Sequence, residues 1–563
     1  MSSADVLVFD MANAPTQSTN VFVKKDYFSV QDDQGSAGYS GNQSVLQLSS
    51  LANSNRYMDF KNSYITMPLL ITLTADGVGT AFRPDLENNN FAVGLKNWFG
   101  HVIHSVQVDY NNSTAQQLTS FQSLLNCFKL HTTLSWDDVA TIGSSIGYWP
   151  DTAQSWGYTA GSVAGIGLEN NRNLITASTA DGNRLCNGNK GLYKRQSAIA
   201  YDPTALTAID GGNGAAFSTL CSATNATNLY RSYVYNKVDG TGAIAGTLQI
   251  AITAKIMAKH ISDFFAKMPL VRGAFIKLTM NLNQPVVDFT VASGVVSAQS
   301  VNSPLGGVCP LQIASITSGI GGLADDGYKL SLGVGRVPPS WAQHSSAAQL
   351  QAAPLATNVE FHTPAVVFSP VFESAFLSTS VKRFEYEDFY NYNVVGRVGG
   401  SRITELLTNG VKNQTRLVVM PFLTAASNGG VAPIQSALTT DGATCSPVAL
   451  NDFNVLLSGA SLLQSNYRYS YEIFMEQLRS AGAINGGMTD GFTSGIIDQT
   501  AFENNYGYMV VDTARMLDIE REVPKSVQLL TQIQAPSGVS VDLYTFICYK
   551  NDFAIDAMTG SRV

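Results

Sequence analysis

Over the run Leu248-Gln249-Ile250-Ala251-Ile252-Thr253-Ala254-Lys255-Ile256, every second side chain is apolar or small and most of those between are polar. Successive side chains of an extended strand point to opposite faces, so this period buries one face and wets the other. Ile276-Lys277-Leu278-Thr279-Met280-Asn281-Leu282 repeats the pattern, and looser versions run over Ile65 to Leu73, Phe384 to Val394 and Tyr467 to Tyr471. Asp-Gly and Asn-Gly pairs recur between such runs, from Asp76-Gly77 to Asp490-Gly491. They supply the positive φ that tight turns and loop bends require. Many half-buried strands with such turns predict an all-β sandwich or barrel.

Composition narrows the class further. Charged residues make up 13% of the chain, against roughly 25% in an average soluble domain. Apolar residues hold their usual share at 45%, so Ser, Thr, Asn, Gln and 48 glycines replace the missing charge. A disordered chain would need high net charge and few aromatics, and a helical enzyme would carry Glu, Lys and Arg on its exposed helix faces. At 563 residues the chain exceeds one core, and about 100–200 residues per domain predicts about two to four. No stretch reaches the roughly 18 uninterrupted apolar residues of a membrane span. The segment Met1 to Thr16 holds Asp5 and Asp10 without Lys or Arg, so no secretory signal is expected there. Cys127, Cys186, Cys221, Cys309, Cys445 and Cys548 lie far apart, which favours buried free thiols over disulfides or a zinc site. The net charge of −8 opposes non-specific nucleic-acid binding by the bulk surface, and the basic cluster Lys190 to Arg195 is short and isolated.

Two helices are expected among the strands. Ser113-Thr114-Ala115-Gln116 has the form of a capping box, followed by Leu118, Phe121, Leu125 and Phe128 at helical spacing. The second spans about Tyr471 to Leu478, and both are expected as connectors on sheet edges. The chain also repeats itself weakly. Ile65-Thr66-Met67-Pro68-Leu69-Leu70 is similar to Val418-Val419-Met420-Pro421-Phe422-Leu423, with another strand expected near Asn97 and near Asn451 and a helix after each. Each half closes with a strand after a proline, Phe275 to Leu282 and Val527 to Ile533. The first half carries extra residues, mainly between Thr141 and Gly246, and a loop of that length is usually functional or partner-bound. Two tandem β-sandwiches are the expected architecture.

No motif assembles an active site. Gly143-Ser144-Ser145-Ile146-Gly147 matches G-x-S-x-G, but a nucleophile elbow needs a strand before Ser145 and a helix after it, and a turn at Tyr148-Trp149-Pro150-Asp151 is expected instead. Gly240-Thr241-Gly242-Ala243-Ile244-Ala245-Gly246 misses the dinucleotide spacing and precedes a strand. His101 and His104, three apart on an expected strand, would face opposite sides and could not share a metal. Asp137-Asp138 and Asp325-Asp326 read as solvated loop pairs without the spacing of a calcium loop. Sequons at Asn225 and Asn413 are expected to stay unmodified. No catalytic, cofactor-binding or metal-ligating residue is assigned.

Specific segments carry a resemblance. The stretch Ser374 to Leu423, with Val381-Lys382-Arg383-Phe384-Glu385-Tyr386-Glu387-Asp388-Phe389-Tyr390, Asn409-Gly410-Val411-Lys412-Asn413 and Val419-Met420-Pro421-Phe422, resembles the start of a C-terminal jelly roll. The family it resembles is the double jelly-roll major capsid proteins of virophages, polinton-like viruses and their relatives. Ser54-Asn55-Arg56-Tyr57-Met58 through Leu69, Asp263-Phe264-Phe265-Ala266-Lys267-Met268-Pro269-Leu270, and Phe502-Glu503-Asn504-Asn505-Tyr506 on to Asp556-Ala557-Met558-Thr559-Gly560 are similar to the same family, in its order. The resemblance spans about Val45 to Val563; about 157–240 and 292–357 match nothing in it.

The resemblance implies two tandem eight-stranded jelly-roll β-sandwiches with a few short connecting helices and long loops. Its expected layout is an N-terminal arm (1–25), a first jelly roll with long inserted loops (26–295), a linker or extended loop (296–357) and a second jelly roll (358–563). It implies a homotrimer forming a pseudo-hexameric capsomer. Such capsomers tile the icosahedral shell of a double-stranded DNA virus beside neighbouring capsomers, penton and minor capsid or cement proteins. The chain is then a virion protein assembled inside the host cell, not an enzyme, with no cofactor, no sequence-specific nucleic-acid contact and no transmembrane segment. Met1 to Asn20 is expected to order only against a partner. Two other classes stay open on the residues alone. A carbohydrate-binding or adhesin β-sandwich would show solvent-facing Trp and Tyr in one groove, and a jelly-roll glycoside hydrolase would need paired carboxylates.

Overall fold

The computed structural model describes residues 21–33, 39, 41–75, 91–150, 232–238, 244–292, 295–315, 326–335, 341–343, 358–428, 430–446, 448–480, 495–504, 506–514 and 522–563. Outside them lie residues 1–20, most of 157–240, the Lys190 to Arg195 cluster, Cys186, Cys221, Asn225, Gly240 and Asp325.

Sixteen strands carry the architecture. Those of the first half are β1 (Phe22–Gln31), β2 (Gln43–Gln47), β3 (Tyr64–Ala75), β4 (Ile103–Tyr110), β5 (Ser113–Leu118), β6 (Ile244–Met257), β7 (Ile276–Leu282) and β8 (Glu360–Phe368). Those of the second are β9 (Val381–Val398), β10 (Arg402–Val411), β11 (Gln414–Leu423), β12 (Ala449–Leu457), β13 (Ala460–Ser461), β14 (Met509–Asp512), β15 (Lys525–Gln534) and β16 (Ser540–Asp556). In the first half the hydrogen-bonded orders are β1-β8-β3-β6 and β2-β7-β4-β5; in the second they are β9-β16-β11-β14 and β10-β15-β12-β13. Adding eight to every label of the first half yields the second. Two facing antiparallel sheets with this strand order make a jelly roll. The chain is a double jelly roll, as expected, with helices α1 (Gln122–Thr133), α2 (Trp136–Ile146), α3 (Asp263–Lys267) and α4 (Tyr471–Ser480) in its connections.

Period two does its work locally. On β3, Ile65, Met67, Leu69, Ile71 and Leu73 are buried, and β7 alternates buried and half-buried along its whole length. The similar segments Ile65 to Leu70 and Val418 to Leu423 occupy equivalent strands, β3 and β11. A long pair, β9 with β16, runs from Val381 opposite Asp556 to Val398 opposite Ser540 and bulges between Val394 and Arg397. Gly396 supplies the positive φ there (+70°), and its N–H donates to Asp542 Oδ1 at 2.7 Å.

Several local expectations are corrected. Ser113 to Gln116 is not a helix cap: it lies in β5, whose backbone pairs with β4. α1 starts later, at Gln122, after Phe121 in the left-handed region, and the capping box belongs to α2, where Ser135 and Asp138 cap each other. α1 is no edge connector either, since ten of its twelve residues are buried. Tyr467 to Tyr471 makes a single bridge, Tyr467 to Phe453, before α4 begins. Near Asn97, itself at φ +56°, a short strand Phe91–Leu95 ends, whereas the strand equivalent to β12 is β4, beginning at Ile103.

The domain boundaries also move. β1 begins at Phe22, inside the expected arm. β8 falls within the expected second roll, yet it pairs with β1 and β3 of the first. The expected linker 296–357 supplies strands as well. Asp326–Val334 pairs with the far half of β3, Val295–Asn302 joins through Val286–Ala292, and Leu311–Ser315 pairs with Phe91–Leu95. β3 is long enough to take two successive partners on one side, β8 at its start and Asp326–Val334 at its end, so the excursion between β7 and β8 widens the first sheet.

The two rolls share apolar packing. On β11, Leu417, Val419 and Leu423 face the second roll's own interior, while Val418, Met420 and Phe422 join the core of the first. β16 divides alike: Val541, Leu543 and Ile547 point inward, Phe546 and Cys548 outward to the first roll. Calorimetry is therefore expected to show one cooperative unfolding transition for both rolls; two resolved transitions would contradict the shared core. Phe546→Ala should lower stability by about 3–5 kcal/mol without splitting that transition.

Candidate functional site

The chemically richest point lies where β9 meets the first roll. Glu387 on β9 accepts from Lys129 of α1 (Nζ to Oε1, 2.9 Å) and from Arg416 of β11 (Nη2 to Oε1, 2.8 Å). The Arg416 guanidinium also lies over the Phe128 ring, 5.9 Å from its centroid. Burial alone would push the Glu387 carboxyl up. Arg416 and Lys129 outweigh it and hold the group at about 2. The next residue is opposite in character. Burial pushes Asp388 up to about 6, although the Phe389 N–H donates to its Oδ1 at 2.8 Å.

Backbone groups of β9 are capped at the same place. The Glu387 N–H donates to Asp263 Oδ2 of α3 (2.8 Å), and the Glu387 carbonyl accepts from Gln116 Nε2 of β5 (3.0 Å). The Tyr386 hydroxyl donates to the Ala115 carbonyl. Beside these groups is a cavity of about 50 Å³ lined by Gln116, Asn126, Lys129, His260, Asp263 and Glu387. Its polar walls suit an ordered water. Glu387 is held ionised by two cations from different elements, so the cluster ties β9 to α1 and β11.

Further ties extend the contact. Lys96, fully buried, donates from Nζ to the carbonyls of Ser436 (2.7 Å) and Asp441 (3.0 Å) of the second roll. His131 of α1 lies 2.7 Å from the Tyr148 hydroxyl and 3.0 Å from the Ala443 carbonyl. Gly560, near the C-terminus, accepts from the Tyr110 hydroxyl and from Asn111 Nδ2, each at 2.7 Å.

The motif residues weighed in the sequence fall elsewhere. Ser145 lies in α2, whose C-cap is Gly147, so no strand leads into it as an elbow requires. His101 sits in a 3-10 turn rather than on a strand, 3.2 Å from Cys127 Sγ, and both residues are buried. His104 follows on β4, and burial lowers its pKa. Asp137 and Asp138 are not loop residues but the first turn of α2. Among the described residues no group of three or more His, Cys, Asp or Glu could hold a metal, Cys127, Cys309, Cys445 and Cys548 are buried free thiols, and no helix is long and apolar enough to cross a membrane. Lys129 and Arg416 were not singled out by any motif, Gln116 was read only as part of a helix cap and Asp263 only as part of a resembling segment, because each matters through the partner the fold brings to it.

No family profile matches the chain, and no curated protein matches it. Solved structures do. A chain of the Sputnik virophage structure determined by cryo-EM is 11% identical over 97% of this chain and 89% of that one, with a TM-score of 0.44. The mavirus major capsid protein is 10% identical over 97% of this chain and 91% of its own, with a TM-score of 0.47. The Faustovirus major capsid protein is 8% identical over 98% and 94%, with a TM-score of 0.42. The likeness is one of fold.

Two substitutions test the cluster. Glu387→Gln leaves Lys129 and Arg416 without their counter-charge and should cost about 3 kcal/mol, the lower end for a broken buried pair because Lys129 keeps some water. A melt unchanged from the parent would show that the cluster holds nothing. For Asp388 the folded value lies above the usual 3.8, so its contribution is full below pH 3.8 and lost as the pH rises through about 6. Asp388→Asn should therefore melt higher than the parent at pH 8, by up to about 3 kcal/mol, and match it near pH 4. A gap that does not change with pH would refute this.

Proposed function

We propose that this chain is a major capsid protein of the virophage and polinton-like virus kind, a homotrimer whose six jelly rolls form a pseudo-hexagonal capsomer. One observation carries the reading. Three of the four segments that resemble that family take part in fastening the rolls together. Asp263 to Leu270 contains α3, Val381 to Tyr390 is the first part of β9, Met420 and Phe422 face the first roll, Tyr506 packs on His131, and Asp556 to Gly560 ends at the carbonyl held by Tyr110 and Asn111.

The physics supports the role. Two like rolls fixed as one body present six rolls in a ring of three copies, a shape that packs edge to edge in a sheet. Low surface charge rich in Ser, Thr, Asn and Gln favours many wet, moderate contacts, and repetition over a closed lattice makes weak contacts collectively stable. Neighbouring capsomers, penton and minor capsid or cement proteins are the partners of this reading, the virion its location and the host cell its place of assembly. Its function lies in interfaces, without catalysis or cofactor. A sugar-binding groove finds less support: among the described residues, exposed Tyr27, Trp136 and Tyr390 stand on separate elements.

Light scattering after size exclusion tests the proposal. A species near three times 60.2 kDa, unchanged on dilution and building shells visible by electron microscopy, is the expected result. A monomer at every concentration contradicts it.

A further inference from the structure

We infer that the chain's own N-terminal segment, Asp5 to Asp10, seats on an exposed apolar patch around the helix that connects the two rolls.

That helix, Pro370–Leu377, links β8 to β9. So short a helix is not stable in water by itself and needs an apolar face to pack. Among the described residues none of its side chains is buried. Phe372 and Phe376 lean partly on a small cluster of Tyr57, Val366 and Phe368, which is separate from the two larger cores. The Phe376 ring lies 5.1 Å from that of Phe368 and 5.7 Å from that of Tyr57. Val371 is 70% exposed, and Phe22 and Val23 at the start of β1 are 41% and 68% exposed. Single exposed apolar side chains are ordinary, whereas several gathered at one place mark a contact.

The chain itself enters at this place. Val21 packs on the same cluster, and its carbonyl accepts from the Ser369 N–H at 3.0 Å, directly before the helix. Residues 1–20 are therefore tethered at the edge of the patch. Their longest apolar run is Val6-Leu7-Val8-Phe9, flanked by Asp5 and Asp10. Met11 to Asn20 separate that run from Val21, and Asn13 and Pro15 among them suit a reversal. Extended, such a spacer reaches about 35 Å, well beyond the roughly 12 Å length of an eight-residue helix. A tether this short holds the run at a local concentration on the order of millimolar, which a separate partner would have to exceed.

Charge agrees. Met1 to Asn20 carry two aspartates and no Lys or Arg. Lys24 and Lys25 of β1 and Lys382 of β9 rim the patch, and Lys382 lies 4.3 Å over the Phe376 ring while donating to the Phe376 carbonyl. The carboxylate on the helix, Glu373, is already held by the Tyr57 hydroxyl (3.0 Å) and by Arg272 (3.6 Å), so it offers the arm little repulsion. The partner against which Met1 to Asn20 order is then the chain itself, and the seat depends neither on a trimer nor on a shell.

The test uses the full chain. Val371→Asp changes an exposed position and should leave the melt unchanged, while chymotrypsin cuts after Leu7 and Phe9 about tenfold faster than in the parent, since cleavage follows the unseated population. Equal cleavage in parent and variant overturns the inference. Val8→Cys with Val371→Cys, treated with a short bis-maleimide, should give a linked pair of peptides by mass spectrometry from a band at the mass of one chain, which neither single variant gives. No link, or a link only between two chains, also overturns it, the second result assigning the patch to a neighbour's arm.

Discussion

Along β11 and the facing part of β16, the sheet β9-β16-β11-β14 is buried on both faces. One side packs into its own roll through Leu417, Val419, Leu543 and Ile547, and the other into the first roll through Val418, Phe422, Phe546 and Cys548. Pulling the rolls apart would expose a broad apolar surface at roughly 25 cal/mol per Å². The rolls are therefore one body, and other features of the interface follow from that. α1 can be buried nearly all round because it is sandwiched between rolls, and Lys96 can be fully buried because second-roll carbonyls reach it.

Burying that face brings β9 and its charges along with it. A carboxylate drawn from water is expensive unless it is paired, and Glu387 meets the requirement with Arg416 and Lys129. Asp388 accepts from the Phe389 N–H and the Asn551 amide, but burial outweighs these and holds its proton tighter. Adjacent carboxyls thus titrate in opposite directions, because what faces each differs. The same junction caps the backbone of Glu387, so the fastening of the rolls and the protection of a strand edge are one structure.

Much of the secondary structure was legible in the residues. The alternation over Ile276 to Leu282, the helix from Tyr471 and the similarity of Ile65 to Leu70 with Val418 to Leu423 all occupy matching elements. The errors share a cause. Ser113 to Gln116 has the form of a cap, but its backbone was claimed by β4. Residues 358–368 follow a region of no resemblance and were grouped with what comes after, although β8 pairs backward across hundreds of residues to β1 and β3. The interface residues were harder still. Lys129 on a helix and Arg416 on a strand look like ordinary polar positions until both reach Glu387.

The sequence by itself determined that the chain forms many half-wetted strands and that its two halves share similar strand segments, because alternation and turn residues are local properties. Which face each strand buries against a neighbour, that Glu360–Phe368 belongs to the first roll, and that Glu387 stands between two cations were decided only by the tertiary structure. Period two says that a strand has two faces. It does not say what lies beyond either one, since that partner is chosen by contacts between residues far apart in the chain.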